Sequence, residues 1–259
     1  MEMYIIPPLA HPELMDLGDR YFCLAHHYLQ NESYANHFKE LRKKEGVFIT
    51  LDNGAAEHSL VTEDILLGIV SELEPDEVIS PDVLFDKDQT LANLDSFILK
   101  MFQRGLFEKT KLFGCPQGEN EDEWLECYIQ MLNNPNISVI GLSKIAVPKC
   151  FLNKKNDEGI KEARHKCIKY LSDNDLIRKP IHFLGMGNPT EFTIYDNPFL
   201  RSTDSCYTVL AAINDVDFST GNFKRIPTTN DYFERKLTED DIVKVKKNVA
   251  FLREQLNKG

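Results

Sequence analysis

Six positions along this 259-residue chain carry a polar side chain or a glycine where a short β-rich run gives way to a helix start. They are Asp52, Asp82, Gln117, Gly141, Gly185 and Asp204. Three carboxylates and an amide form a set that can serve a heterocyclic base attached to a sugar. Asp and Gln side chains complement the donor and acceptor edge of a purine. The backbone at Gly141 and Leu142 can approach such a ring, because glycine has no side chain to hold it off. A remaining carboxylate is a competent nucleophile at a sugar C1, forming a covalent glycosyl intermediate. Taken singly, each aspartate reads as a helix cap or turn residue, Gln117 as a turn residue, and Gly185 and Gly187 as tight-turn glycines. Their recurrence at successive strand ends is what points to a site.

One repeated unit positions them. "VFITLD" (47–52) precedes a helix capped at Thr62, with Glu63 and Asp64 in its first turn. "EVISPD" (77–82) precedes the helical spacing Leu91, Leu94, Phe97, Ile98, Met101. "KLFGCPQG" (111–118) precedes Asn120-Glu-Asp-Glu123, a capping box. "SVIGLS" (138–143) leads through a longer loop to a helix around 157–171, and "IHFLGMG" (181–187) runs into Asn188-Pro189-Thr190-Glu191, a cap with proline in the first turn. "FLRSTDSCY" (199–207) is a shorter run of the same kind. The first strand falls in "MYIIPPL" (3–9), helical material fills about 13–44, and a capped amphipathic helix closes the chain at 238–256.

Strands alternating with helices, without a Gly/Ser/Pro-rich linker, predict parallel βα units in one domain over 1–259. No G-x-G-x-x-G follows the first strand, which disfavours an open dinucleotide-binding sheet. The expected fold is therefore α/β, a (β/α)8 TIM-like barrel with strand C-termini converging on one face. An eighth strand is not evident. "NFKRIP" (222–227) is the best candidate, and the barrel is allowed an irregular closure.

Apolar residues make up 42% and charged residues 27%, enough for a sizeable core. The start, "MEMYIIPPLAHPELMD", lacks the basic segment and apolar core of a signal peptide, and no run is long enough to span a membrane. The expectation is a soluble, cytoplasmic protein without a membrane partner. Six scattered cysteines show neither C-x-x-C nor zinc-ligand spacing, so reduced thiols and no metal are expected. The net charge of −11 weighs against tight nonspecific binding to nucleic acid, unless a local basic patch or a partner protein supplies the cations. Lys144, Lys149, Arg201, Lys224 and Arg225 follow or flank strand ends and are the candidate phosphate contacts. His26 and His27 read as surface or half-buried residues of a helix, and His58 as a residue near the Asp52 loop. Asp86 and Asp88 read as solvated loop residues.

Six segments resemble a known family, the tRNA-guanine transglycosylases. "FITLDNGAAE" (48–57) is similar to the family's "TDSGGFQ", "PDEVISPD" (75–82) to "SDIVMAFD", and "LFGCPQG" (112–118) to "LFGIVQG". "SVIGLS" (138–143) resembles "YAIGGLA", "HFLGMGNPTEF" (182–192) resembles "YLMGVGKPEDL", and "RSTDSCY" (201–207) stands where the family has "DMFDCV". Order and approximate spacing hold from about residue 47 to 207. The resemblance implies a (β/α)8 barrel that exchanges guanine for a 7-deazaguanine by a ping-pong mechanism, with no cofactor. It implies Asp204 as the nucleophile on C1′ and Asp52 as the proton-transferring, base-contacting carboxylate. It implies Asp82 and Gln117 as readers of the guanine edge, main-chain contacts at Gly141 and Leu142, and Leu184, Gly185 and Met186 as pocket lining.

The departures are specific. The family's "SGGFQ" is here Asn53-Gly54-Ala55-Ala56-Glu57, without the aromatic that stacks on the base, and its double glycine is Ile140-Gly141. The zinc site that follows the family's nucleophile is absent, since no cysteine follows Cys206 and no histidine follows His182. The chain is closer in this respect to the zinc-free phage and bacterial DNA-guanine transglycosylases, which insert 7-deazaguanines such as preQ0 into DNA. The expectation is that reaction on DNA, in the host cytoplasm if the protein is phage-encoded, with a homodimer or partner protein allowed. Action on tRNA and a non-catalytic binding subunit are the alternatives. A barrel lyase would want a buried lysine at a strand end, which the sequence does not convincingly place.

Overall fold

Parallel strands joined by helices must bury both faces, so their side chains divide by parity between the barrel interior and the helix layer. The computed structural model describes residues 1–55, 59–154, 159–186, 191, 199–223, 226 and 228–256. Its eight strands are β1 (Glu2–Ile5), β2 (Tyr21–Leu24), β3 (Ile49–Asp52), β4 (Glu77–Ile79), β5 (Lys111–Gly114), β6 (Ile137–Ser143), β7 (Ile181–Leu184) and β8 (Leu200–Ser205). All pairings are parallel, in the order β1-β8-β7-β6-β5-β4-β3-β2. The helices among the described residues are α1 (Ala25–Gln30), α2 (Glu32–Arg42), α3 (Glu63–Leu73), α4 (Lys87–Gln103), α5 (Glu121–Asn133), α6 (Ala146–Leu152), α7 (Ile160–Asp173), α8 (Tyr207–Ile213) and α9 (Glu239–Leu256).

The result is a (β/α)8 TIM-like barrel with an irregular seam. The two edge strands, β1 and β2, meet through one bridge, Tyr4 with Arg20. Asp19 reinforces it: its N–H donates to the Met3 carbonyl (2.7 Å), and its carboxylate accepts from the Met3 N–H (2.9 Å). An Arg20–Glu2 ion pair at 2.7 Å lies beside them.

Two expectations about elements are corrected. Residues 13–44 are not helical throughout, because β2 lies within them. Tyr21-Phe22-Cys23-Leu24 passes into α1 without a turn residue, and a short apolar run cannot be told from buried helix by periodicity. The stretch 222–227 is not the eighth strand. Its described residues, 222, 223 and 226, are outside any strand, and β8 is the run at 200–205. The expected helix start at Asn188-Pro189-Thr190 lies outside the described residues.

Local chemistry starts several other helices where the sequence suggests, although Thr62 stands at the start of α3 without a side-chain cap bond. Asn120 Oδ1 accepts from the Glu123 N–H (3.0 Å) at the start of α5. Asp86 is a cap, not merely a solvated loop residue: its Oδ1 accepts from the Gln89 N–H (2.9 Å) before α4. Thr238 Oγ1 accepts from the Asp241 N–H (3.1 Å) before α9. Each cap satisfies a first-turn donor that has no partner within its helix.

Parity along the strands then decides function. Met3 and Ile5 join the helix-side core, whereas Tyr4 and Ile6 join a smaller cluster inside the barrel with Phe22, Leu24, Phe113 and Val139. The same parity sends Thr50 and Asp52, His182 and Leu184, and Ser202 and Asp204 inward as successive layers. Gly141 belongs to this inner set. A Cβ there would lie 2.6 Å from the Phe113 ring and 2.7 Å from Leu184 Cδ1, so the glycine makes room for those two side chains.

Candidate active site

The lowest interior layer is polar. Arg201, near the start of β8, turns across the N-terminal end of the barrel and forms a two-point ion pair with Glu77, the first residue of β4, at 2.5 and 2.9 Å. Thr50 bridges Glu77 (3.4 Å) and the Tyr4 hydroxyl (3.1 Å). Above this layer runs a chain of bonds. Arg201 Nε donates to Ser202 Oγ (3.0 Å), Ser202 Oγ meets His182 Nδ1 (2.8 Å), and His182 Nε2 meets Asp204 Oδ1 (3.0 Å).

The protons in that chain follow from its ends. Burial pushes the His182 pKa down, so the imidazole is neutral and carries one ring proton. The Asp204 carboxylate is ionised and can only accept, so the ring proton sits on Nε2 and is aimed at Oδ1; Nδ1 then accepts from the Ser202 hydroxyl, whose oxygen also accepts the arginine N–H. Burial alone would raise the Asp204 pKa. The His182 bond, the Gly185 N–H (2.9 Å to Oδ1) and nearby Lys144 outweigh it and hold the carboxyl below its ordinary range. Both hydrogen bonds fall on Oδ1. Among the described residues none falls on Oδ2.

Asp204 lines a cavity at the strand C-termini with Asp52, Asp82, Asn53, Leu184 and Gly185. Its apolar wall includes Phe22 and Leu24 from β2, together with Ile79. Asp52 Oδ2 accepts from the Gly54 N–H (2.8 Å). Asp82 behaves differently from Asp204, because burial raises its pKa despite bonds from Asn53 Nδ2 (2.7 Å) and Gln117 Nε2 (2.5 Å). Two carboxylates whose environments push them in opposite directions are suited to different tasks, one to stay ionised and one to hold a proton more readily.

A buried cation braces this wall. Arg164 of α7 donates to the carbonyls of Leu142 (2.6 Å), Leu184 (2.6 Å) and Gly185 (2.9 Å), and to Glu191 (2.8 Å). It ties the ends of β6 and β7 together and fixes the peptide whose N–H holds Asp204. Gly185 has φ of +73°, and a Cβ there would collide with the aliphatic stem of Lys144. Glycine therefore serves both the left-handed backbone and the path of Lys144 along the cavity rim.

The structure thus brings Asp52, Asp82, Asp204, Leu184, Gly185 and Lys144 to one cavity. The other candidates lie elsewhere. Gln117 is fully buried behind Asp82: its Nε2 is bonded to Asp82 and to Cys115 Sγ (3.6 Å), and its Oε1 accepts from the Phe85 N–H (3.2 Å). It orients Asp82 and does not face the cavity. Gly141 lies beneath Leu184, while the Leu142 side chain points into the helix-side core and its carbonyl is taken by Arg164. Met186 is likewise buried in that core. Arg201 is committed to Glu77 at the opposite end of the barrel and is not a phosphate contact on this face. Lys149 lies on α6, where its ammonium bonds Asn153. Lys224, Arg225 and His58 lie outside the described residues.

His182, Ser202, Asn53 and Arg164 were missed by sequence reasoning. A signal for two of them was present: His182 and Ser202 are polar residues inside apolar strands, in the same parity as Leu184 and Asp204. Asn53 and Arg164 left no such trace, because their partners are distant in sequence.

Two outcomes test this arrangement. Ser202→Ala removes the hydroxyl that donates to His182 Nδ1 and, for the reaction proposed below, is expected to lower kcat by about tenfold, the value of one well-placed hydrogen bond. With the Asp204 bond weakened, burial raises its pKa, so the acid limb of the kcat/KM profile moves to higher pH. An acid limb identical to wild type would contradict the chain of bonds. Gln117→Ala leaves Asp82 without one donor and, under the guanine reading proposed below, is expected to weaken binding of free guanine by roughly 1–3 kcal/mol. Calorimetric titration reads this directly, and unchanged affinity would separate Gln117 from the site.

Among the described residues, no group of three or more His, Cys, Asp or Glu side chains is placed to hold a metal ion. No described helix is long and apolar enough to cross a membrane. Comparison of the sequence with protein-family models and with curated proteins finds no match.

Proposed function

We propose that this chain is a guanine transglycosylase acting on DNA, a pentosyltransferase that replaces guanine with a 7-deazaguanine such as preQ0. The observation that carries the reading is the asymmetry of Asp204: an ionised carboxylate held by one oxygen, in a cavity shared with Asp52 and Asp82. The pattern suits a nucleophile, whose attacking oxygen must be oriented but not blocked. The order of the six sequence segments supports the family assignment, and the lack of cysteine beyond Cys206 supports the zinc-free branch.

In the proposed reaction Asp204 Oδ2 attacks C1′ of a deoxyguanosine residue. The C1′–N9 bond breaks, its electron pair leaves with the base, and a covalent glycosyl ester forms. Guanine departs after taking a proton, with Asp52 as the proposed proton-transfer group and Asp82 as the acceptor facing the guanine N1–H and amino group. The incoming 7-deazaguanine gives up its N9 proton and attacks C1′, and the carboxylate of Asp204 leaves. Electrons and protons balance across the two halves, as a ping-pong exchange requires.

The test is to incubate the protein with guanine-containing duplex DNA, and separately with tRNA, in the presence of labelled guanine or preQ0. Incorporation into DNA is expected. Exchange into tRNA alone would move the substrate to RNA, and exchange into neither would favour a non-catalytic binding subunit.

A further inference from the structure

Asp204 on β8 and Asp82 just after β4 lie on opposite sides of the barrel, so a ring held between them has two flanks. The flank formed by β1, β2 and β3 is apolar, with Ile6, Phe22 and Leu24, and ends at the carboxylate of Asp52. Its amide donor is spent, because Asn53 Nδ2 gives one N–H to the Ser80 carbonyl (2.7 Å) and one to Asp82 (2.7 Å). The flank formed by β5, β6 and β7 differs. The Cys115 thiol there is spent on Asp82, but Ser143 and Lys144 stand beside it at the end of β6.

These two residues hold side-chain donors that the protein itself does not use. Ser143 is buried and shares the inward parity of Gly141. Its Oγ accepts from the Ile145 N–H (3.0 Å) and the Ala146 N–H (3.2 Å), so both lone pairs are taken. The hydroxyl proton then has no acceptor among the described residues. The Lys144 ammonium likewise makes no hydrogen bond or ion pair among the described residues, while its stem lies against Gly185. The neighbouring carbonyls of Leu142, Leu184 and Gly185 do not balance these donors, since Arg164 already engages all three. A buried donor without a partner is costly unless a ligand supplies the acceptor.

Guanine has an edge that fits this flank. With N9 towards Asp204 and the N1–H and amino group towards Asp82, one remaining edge carries O6 and position 7, which present acceptors. The apolar flank and Asp52 offer that edge no donor. Gln117 and Gly141, which the family resemblance implies for the base, do not face the cavity. We infer that Ser143 and Lys144 read this edge instead, the Ser143 hydroxyl at O6 and the Lys144 ammonium at the substituent on C7. The incoming 7-deazaguanine therefore carries a hydrogen-bond acceptor at that position and not an ammonium group, which Lys144 would repel. This rests on the cavity being the guanine site.

Calorimetric titration of the full chain with three free bases tests the inference. The bases are guanine, 7-cyano-7-deazaguanine and 7-aminomethyl-7-deazaguanine, the last of them cationic at pH 7. Wild type is expected to bind the cyano base about tenfold more tightly than the aminomethyl base. Lys144→Met keeps the stem beside Gly185, removes the charge, and should bring the two within about twofold. Ser143→Ala should weaken guanine and the cyano base alike, each by about tenfold, as loss of one hydrogen bond does. Ser143 also holds the turn into α6, so the thermal midpoint of that variant is measured alongside. Should it fail to fold, the Lys144 comparison decides alone. Guanine binding together with a cyano preference that is absent in wild type, or that survives Lys144→Met, would overturn the inference and leave the guanine site standing. A folded Ser143→Ala variant with unchanged guanine affinity would overturn the O6 contact. If guanine does not bind wild type, the guanine site fails and the inference falls with it.

Discussion

Asp204→Asn is expected to lower base exchange by about 10⁴-fold or more, the scale on which loss of a covalent nucleophile is felt. The substitution is close to isosteric. The remaining carbonyl oxygen can still accept from His182 Nε2 and the Gly185 N–H, so the cavity should keep its shape. What disappears is the charged oxygen that attacks C1′ in the proposed reaction. Two measurements separate this from a folding defect. Free guanine should bind the variant with affinity near that of wild type. The wild-type protein mixed with guanine-containing DNA should yield an adduct that survives denaturation, and the variant should yield none. A variant that exchanges bases at the normal rate would place the nucleophile elsewhere, with Asp52 the next carboxylate to substitute.

The largest expected effect on stability comes from a residue that touches no substrate. Arg164→Leu should destabilise the fold by about 3–5 kcal/mol, because breaking a buried ion pair leaves the other charge without compensation. Both Arg164 and Glu191 are fully buried. The change would also strip a donor from the carbonyls of Leu142, Leu184 and Gly185 at the ends of β6 and β7. Urea unfolding measures the loss. A shift below about 1 kcal/mol would show that the clamp is not the brace described. The paired variant Arg164→Leu with Glu191→Gln should recover part of the loss, since it removes the orphaned charge. Lysine at 164 should not substitute, because one ammonium cannot span the fork that a guanidinium presents. Exchange activity in Arg164→Lys should fall more than guanine binding, as the Gly185 peptide that holds Asp204 loses its anchor.

Much of the barrel is legible in local sequence. The runs at 47–52, 77–82, 111–118 and 138–143 contain strands followed by helices, the run at 181–187 contains β7, and Asn120 and Thr238 cap helices as their side chains suggest. These features depend on neighbours a few residues away. The strand at 21–24 was hidden for the opposite reason. It has no turn chemistry at its end, and its identity as a strand comes from pairing with β3, whose residues lie far along the chain. Taking 222–227 for the eighth strand followed directly from that omission.

The positions of the site residues along the strands could be read as well, but their directions could not. Gln117 and Asp82 both stand at strand ends, yet Asp82 lines the cavity and Gln117 lies behind it. Arg201 and Asp204 are three residues apart on one strand, about 10 Å along an extended chain, and they serve opposite ends of the barrel. Propensity, capping and alternation are short-range, so they mark most of the elements and the residues at their ends, β2 excepted. That Asp52, Asp82 and Asp204 share one cavity, that His182 and Ser202 carry a chain of donors to Asp204, and that Arg164 locks the rim is visible only in the folded barrel. Those outcomes depend on strand register and barrel closure, which are set by pairing between distant segments.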